Sequence, residues 1–248
     1  MIVTRPLLGQ KNWLGLKTLY MREVHRFSKV YIQTIIAPVI TTLVFLTIFS
    51  LAIGRLRGEI NGVPFIEFLA PGLIMMAIIQ NSFANAASSI MAAKMQGNII
   101  DTLMPPLTAN ELVLAYASGG ATRGIVVGCA VTATVSFLVN LSIQNMLLIT
   151  FYAVTASYML AMLGIIGGIW ANRQDNMTVI NGFVITPLSF LSGTFYSIER
   201  LPEVLQIIAL INPFFYAIDG LRAGFIGQSD APLLYGVLVI LGTNTGLW

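Results

Sequence analysis

Catalysis needs ionisable or nucleophilic side chains at short spacing, and this sequence supplies few of them. None of its four lysines, Lys11, Lys17, Lys29 and Lys94, follows a glycine. A phosphate-cradling loop needs glycines ahead of Gly-Lys-Ser/Thr, so the chain cannot hold nucleotide in that way. The single histidine, His25, excludes both a Ser-His pair within the apolar segments and a His-x-x-x-His zinc site. Acidic residues are absent from the long apolar stretches, where a proton or sodium relay would place Asp, Glu or His. Hydrolysis by this chain and coupling to an ion gradient are both disfavoured.

A small set of polar positions remains. Asn81, Ser82, Asn85, Ser88 and Ser89 form a strip too polar for a lipid-facing surface, so it should face protein or a water-filled path. Arg123 is the one ionisable residue well inside an apolar stretch, where insertion scales charge about 2.5 to 3.5 kcal/mol. Either it snorkels to the interface or it meets an anionic substrate or partner. Glu199 and Glu203 are expected to share one helical face, as are Asp219 and Arg222, the latter at salt-bridge spacing.

The elements that hold these residues follow from composition. Of 248 residues, 56% are hydrophobic and 9% charged, against roughly a quarter charged in soluble chains. Uncharged stretches run from Val30 to Gly54, Phe68 to Ala93, Gly124 to Asn172 and Asn176 to Ile198. A crossing needs about 20 apolar residues, so the third stretch must hold the bulk of two. Ala231 to Trp248 would add a sixth, short helix of about 27 Å. The fold expected is an all-α membrane protein of about six transmembrane helices, without a cleavable signal peptide.

Six of the thirteen basic residues, Arg5, Lys11, Lys17, Arg22, Arg26 and Lys29, precede the first span. That charge asymmetry predicts a cytoplasmic N-terminus and makes the net charge of +3 a topology signal rather than a nucleic-acid surface. It leaves Arg55, Arg57, Arg200 and Arg222 outside, against the trend. Trp13, Leu16, Tyr20, Val24 and Phe27 recur at helical spacing opposite Lys17, Arg22, Arg26 and Lys29. This predicts an interfacial helix over 11–29 with its cations on anionic lipid, or a simple topology anchor. Pro38 is expected to kink the first span.

Between the second and third spans, residues 94–111 combine Gly97, Asp101, Pro105, Pro106 and Glu111 with Ile99, Ile100, Leu103 and Met104. A short amphipathic helix stopped by the prolines fits, serving as a docking element or as plain surface. Gly120, Gly124 and Gly128, like Gly164 and Gly168, mark close helix packing within the chain, at a homodimer interface, or both. Cys129 reads as a small apolar side chain. Residues 199–222 carry Pro202, Pro213 and five charges, leaving too few uncharged residues to cross and predicting a re-entrant hairpin through Asn212 and Pro213.

The order of these elements resembles the permease subunit of type-2 ABC exporters over nearly the whole chain. The most specific part is Pro187-Leu188-Ser189-Phe190-Leu191-Ser192-Gly193-Thr194-Phe195-Tyr196, followed by Leu201-Pro202, Asn212-Pro213, Tyr216, Asp219-Gly220 and Arg222. The resemblance implies a connecting helix at 11–29, a coupling loop at 94–111 and a re-entrant extracytoplasmic hairpin at 199–222. Gly97, Ile100, Asp101, Leu103 and Glu111 would then couple to a cytosolic ABC ATPase that holds ATP and Mg, this chain binding no cofactor itself. A second permease copy, a homodimer, would complete the path in the bacterial inner membrane. Asn81, Asn85, Gly120, Arg123, Gly124 and Gly128 would serve path or packing. The sequence ends at Trp248 without the family's longer last span and basic tail, so either it is truncated or span six is unusually short. The alternative is an ion-coupled carrier or channel without an ATPase partner.

Overall fold

The computed structural model describes residues 12–54, 59–60 and 62–248, so Arg5, Lys11, Arg55 and Arg57 lie outside the described residues. Helix α1 spans Trp13–Ser28, with the Asn12 side chain accepting from the Gly15 amide at its start. The next long helix, α2, runs Ile32–Ala52, and β1 (Glu59–Ile60) and β2 (Val63–Pro64) form a minimal antiparallel hairpin with Ile60 opposite Val63. Helix α3 covers Phe65–Met95, α4 Ile99–Leu103, α5 Ala109–Val135 and α6 Met146–Trp170. Residues 174–191 form α7, and a 3-10 turn at Ile198–Arg200 leads to α8 (Glu203–Ile211), α9 (Pro213–Ile226) and α10 (Leu233–Leu247).

Among the described residues, α2, α3, α5 and α6 are long and apolar enough to cross a bilayer, and α8 with α9, meeting at 86°, would make a fifth crossing if counted as one. This is an all-α membrane protein. Two of the expected six spans fall short of that standard. Helix α7 opens on Gln174, Asp175 and Asn176 and stops at Leu191 rather than Ile198, and α10 has 15 residues, about 22 Å.

Proline sets the local form of α2 and α7. The Ala37 amide, just before Pro38, donates to Ile32 across a widened π-turn, and the Thr186 amide, just before Pro187, donates to Asn181 in the same way. Each widened turn lets the chain pass a residue without an amide hydrogen while staying helical. Pro38, expected to kink the first span, is accommodated without breaking it.

Helix α3 is the centre of the molecule. Its apolar window is 83% buried, whereas that of α2 is 11% buried. The glycine seam explains why. A Cβ on Gly120 would lie 2.8 Å from Ala161 and 3.0 Å from the Ser82 carbonyl, one on Gly124 would collide with Ser82, and one on Gly128 would lie 2.6 Å from Ile78. From the other side, a Cβ on Gly164 would lie 2.5 Å from the Phe83 carbonyl and one on Gly168 2.8 Å from that of Ala87. At these glycines the structure shows contacts within the chain: α3 is gripped between α5 and α6 at backbone distance.

The ends of α3 and α6 are also fastened. Lys94 Nζ donates to the carbonyls of Ile169 at 2.6 Å and Ala171 at 2.7 Å and to Asn172 Oδ1 at 3.2 Å. A cation over terminal carbonyls satisfies acceptors that the helix leaves open.

Candidate functional site: a coupling handle and a polar path

The segment 94–111 emerges from α3, turns at Gly97 with φ +72°, and forms α4 before Pro105 and Pro106. Helix α4 displays Ile100 and Leu103, 61% and 60% exposed, beside exposed Met95, Met104 and Asp101, while Thr102 points inward. Single exposed apolar residues are ordinary; a contiguous group on a short, held helix is a candidate contact surface. Glu111, expected on that surface, is turned inward instead. It closes a capping box with Thr108 at the start of α5, and its Oε1 accepts from the Asn12 amide at 2.6 Å.

Helix α1 is the strut behind this handle. Arg22 donates to Thr102 Oγ1 at 3.0 Å and to the Tyr116 hydroxyl at 2.9 Å. Glu23, wholly buried, accepts from Ser89 Oγ at 2.7 Å and pairs with Arg22 at 3.4 Å and Arg26 at 3.2 Å. Arg26 in turn donates to the Asn85 carbonyl at 2.7 Å, Asn85 Oδ1 at 2.9 Å and Ser88 Oγ at 3.2 Å. A Cβ on Gly119 would lie 2.6 Å from Glu23 Cβ, so α5 meets α1 closely here. The expectation that Arg22 and Arg26 face lipid is therefore corrected: Arg26 is drawn inward onto α3, and Arg22, although its side chain stays 48% exposed, turns its guanidinium onto Thr102 and Tyr116, while Lys17 and Lys29 remain exposed. The sequence carried one signal of this, an acid at Glu23 spaced three residues from Arg26.

The polar strip of α3 meets different neighbours one turn apart. Asn85 is fully buried under Arg26, whereas Asn81 lines a cavity of about 340 Å³ between α2, α3 and α7. Gln33, Thr41, Thr42, Gln80 and Thr186 line the same cavity with neutral hydrogen-bonding groups. Arg123 turns from α5 to donate to Asn81 Oδ1 at 3.2 Å, so it is directed at α3.

The C-terminal positions form a lock. Arg222, 1% exposed, donates to the Gly193 carbonyl at 2.6 Å, stands 3.9 Å from the centre of the Phe68 ring, and pairs with Asp219 at 3.9 Å. Asp219 accepts from Ser229 Oγ at 2.6 Å and the Asp230 amide at 2.8 Å. Asn212 caps α9, and Pro213 is that helix's first residue; the Asn212 amide group reaches back to Ser192 Oγ at 2.8 Å and the Leu188 carbonyl at 3.0 Å. The run Leu191-Ser192-Gly193 thus meets Asn212 and Arg222 in space. Glu199 and Glu203 are exposed and do not share a helical face, because Leu201-Pro202 separates the 3-10 turn from α8.

Comparison with known proteins fits this arrangement. Residues 15–226 match the family described as ABC-2 type transporter. The chain is 37% identical over 230 residues to the inner membrane transport permease YadH of Escherichia coli (strain K12), covering 92% of this chain and 90% of that protein. It is 26% identical over 245 residues to nodulation protein J of Rhizobium leguminosarum bv. viciae, covering 96% and 92%. To nodulation protein J of Neorhizobium galegae it is 24% identical over 239 residues, covering 94% and 88%.

Proposed function

Because this chain belongs to the ABC-2 type transporter family, and is thus a membrane transport permease, we propose that it forms the transmembrane half of an ATP-driven exporter whose engine is a separate cytosolic ABC ATPase. ATP and Mg would sit on that partner, and the permease itself would be a non-enzymatic transport component. The observation that carries this reading is the α4 handle. A short apolar helix is presented outward while its inward side is tied through Thr102 and Arg22 to α1, which is tied through Glu23 and Arg26 to the polar strip of α3. A push on Ile100, Asp101 or Leu103 would be passed to the helix that lines the polar cavity.

Under this reading residues 94–111 are the coupling loop and lie in the cytoplasm with the N-terminus. Helix α7 is the fifth crossing, α8 and α9 dip into the outer leaflet over residues 199–222 as a re-entrant pair, and α10 begins the sixth crossing. A second copy of the chain completes the path. Exposed Ile32, Ile36, Ile40, Val44 and Ile48, spaced four apart on the peripheral α2, supply an apolar stripe for that copy beside the open cavity. Similarity to YadH, an inner membrane transport permease, supports the bacterial inner membrane as its location.

The test is copurification. Tagged chain expressed in its native host should recover an ABC ATPase in detergent, and ATP hydrolysis should require it. Transport by the isolated chain in liposomes lacking any ATPase would overturn the proposal.

A further inference from the structure

At the junction of α1, α3 and α5, Arg22 and Arg26 share one carboxylate, whereas Arg123 has none among the described residues. Glu23 pairs with Arg22 and Arg26 and accepts from Ser89, and no ion pair to Arg123 occurs among the described residues. Arg123 donates one hydrogen bond, to the neutral carboxamide of Asn81, and its Nε is buried without a hydrogen-bond partner among the described residues. A desolvated cation facing only a carboxamide keeps most of its unmet electrostatic demand.

Geometry then sets where a counter-charge would enter. Asn81 and Asn85 are four residues apart, one turn of α3, so their arginine partners from α5 and α1 approach the same stretch of that helix. Asn81 Nδ2 donates to the Ala77 carbonyl at 2.9 Å, which turns its Oδ1 toward Arg123. The same Asn81 lines the cavity of about 340 Å³, several times the size of a phosphate group, whose other polar lining is uncharged. The cavity therefore offers hydrogen bonds to hydroxyl or amide groups, and the Arg123 guanidinium stands one hydrogen bond behind Asn81 on its wall.

Resting on the exporter reading, we propose that Arg123 is an anion clamp beside this cavity and takes the phosphate of a polar headgroup or phosphate ester. Guanidinium is suited to this, since its fork matches phosphate oxygens bidentately. The anion's source is either a membrane lipid or a soluble molecule, and the two give different results in one experiment.

The chain, purified with its ATPase, is placed in phosphatidylcholine nanodiscs, and thermal unfolding is followed while either phosphatidylglycerol is mixed into the nanodisc or glycerol 3-phosphate is added to the buffer. Stabilisation by the first identifies a lipid headgroup and by the second a soluble phosphate ester. In either case Arg123→Gln should weaken the apparent affinity at least tenfold, and Arg123→Lys by less. Asn81→Asp, which keeps the side-chain shape but supplies a built-in carboxylate to Arg123, should weaken it equally and guards against misfolding of the arginine variants. Stabilisation by neither probe, or unchanged affinity in Arg123→Gln and Asn81→Asp, would overturn the clamp. Binding can also be read on the chain without ATPase, so loss of the exporter reading and loss of the clamp are separate outcomes.

Discussion

Glu23 on helix α1 and Ser89 on the central helix α3 are joined by a 2.7 Å hydrogen bond, although 66 residues separate them and Glu23 is wholly buried. Through this contact and the flanking arginines, α1 is bolted to α3 by charge, in addition to the apolar contacts of Leu19 and Phe27.

Removing that charge should loosen the strut. Glu23→Gln leaves two half-exposed guanidiniums without their carboxylate and costs about 1.5 to 3 kcal/mol, the range for hydrogen bonds to charged groups. Faster amide exchange across Trp13–Ser28, with α6 unchanged, is the expected readout. Unchanged exchange would show that apolar packing alone seats the helix.

Substitution on the handle should separate docking from folding. Leu103→Asp places a charge on an exposed position, so thermal stability of the chain should hold while ATPase recovery and ATP-driven transport fall at least tenfold. Burying a leucine in an interface is worth about 1.5 to 3 kcal/mol, which is the scale of that loss.

Arg222 should be the most costly single side chain in the C-terminal third. Arg222→Ala strips the buried Asp219 of its cation and the Gly193 carbonyl of its donor, so a loss of about 3 to 5 kcal/mol is expected. Protease sensitivity between Leu191 and Glu203 is the local measurement, since Gly193 and the following turn are what Arg222 holds.

Two glycines should answer oppositely to alanine. A Cβ on Gly220 runs into the ring of Tyr152, whereas one on Gly182 meets nothing within 4 Å. Gly220→Ala should lower stability by about 1 to 3 kcal/mol through overpacking. Gly182→Ala should be neutral or stabilising by up to about 1 kcal/mol through helix propensity. Thermal unfolding of the two variants side by side checks both.

Much of this was legible because charge gaps and helical spacing act locally. The gaps located α2, α3 and α6, four-residue spacing located the glycine seam, and the spacing of three brought Asp219 to Arg222. What the sequence hid depends on which face turns inward. A stripe of apolar residues on α1 suggested lipid on one side and cations outside, but the acceptors on Asn85 and Ser88 lie on α3, far away in sequence, and they draw Arg26 in. The pattern Thr108-x-x-Glu111 is a capping-box signature and could have marked Glu111 as internal. The acid was instead grouped with the exposed handle because both lie in one loop. Helix α7 ends early because Ser192 and Gly193 turn the chain toward Arg222, a contact 29 residues away.

The ammonium of Lys94, seated on the last carbonyls of α6, carries a mechanical corollary. With the base of α3 clasped to its neighbour, α4 cannot swing as an extension of α3. Its pivots are confined to the left-handed joint at Gly97 on one side and the Pro105-Pro106 stop on the other. Any displacement of α4 is geared through a rocker only a few residues long, whose inward contact, Thr102 with Arg22, hands it to α1 before it reaches the crossing.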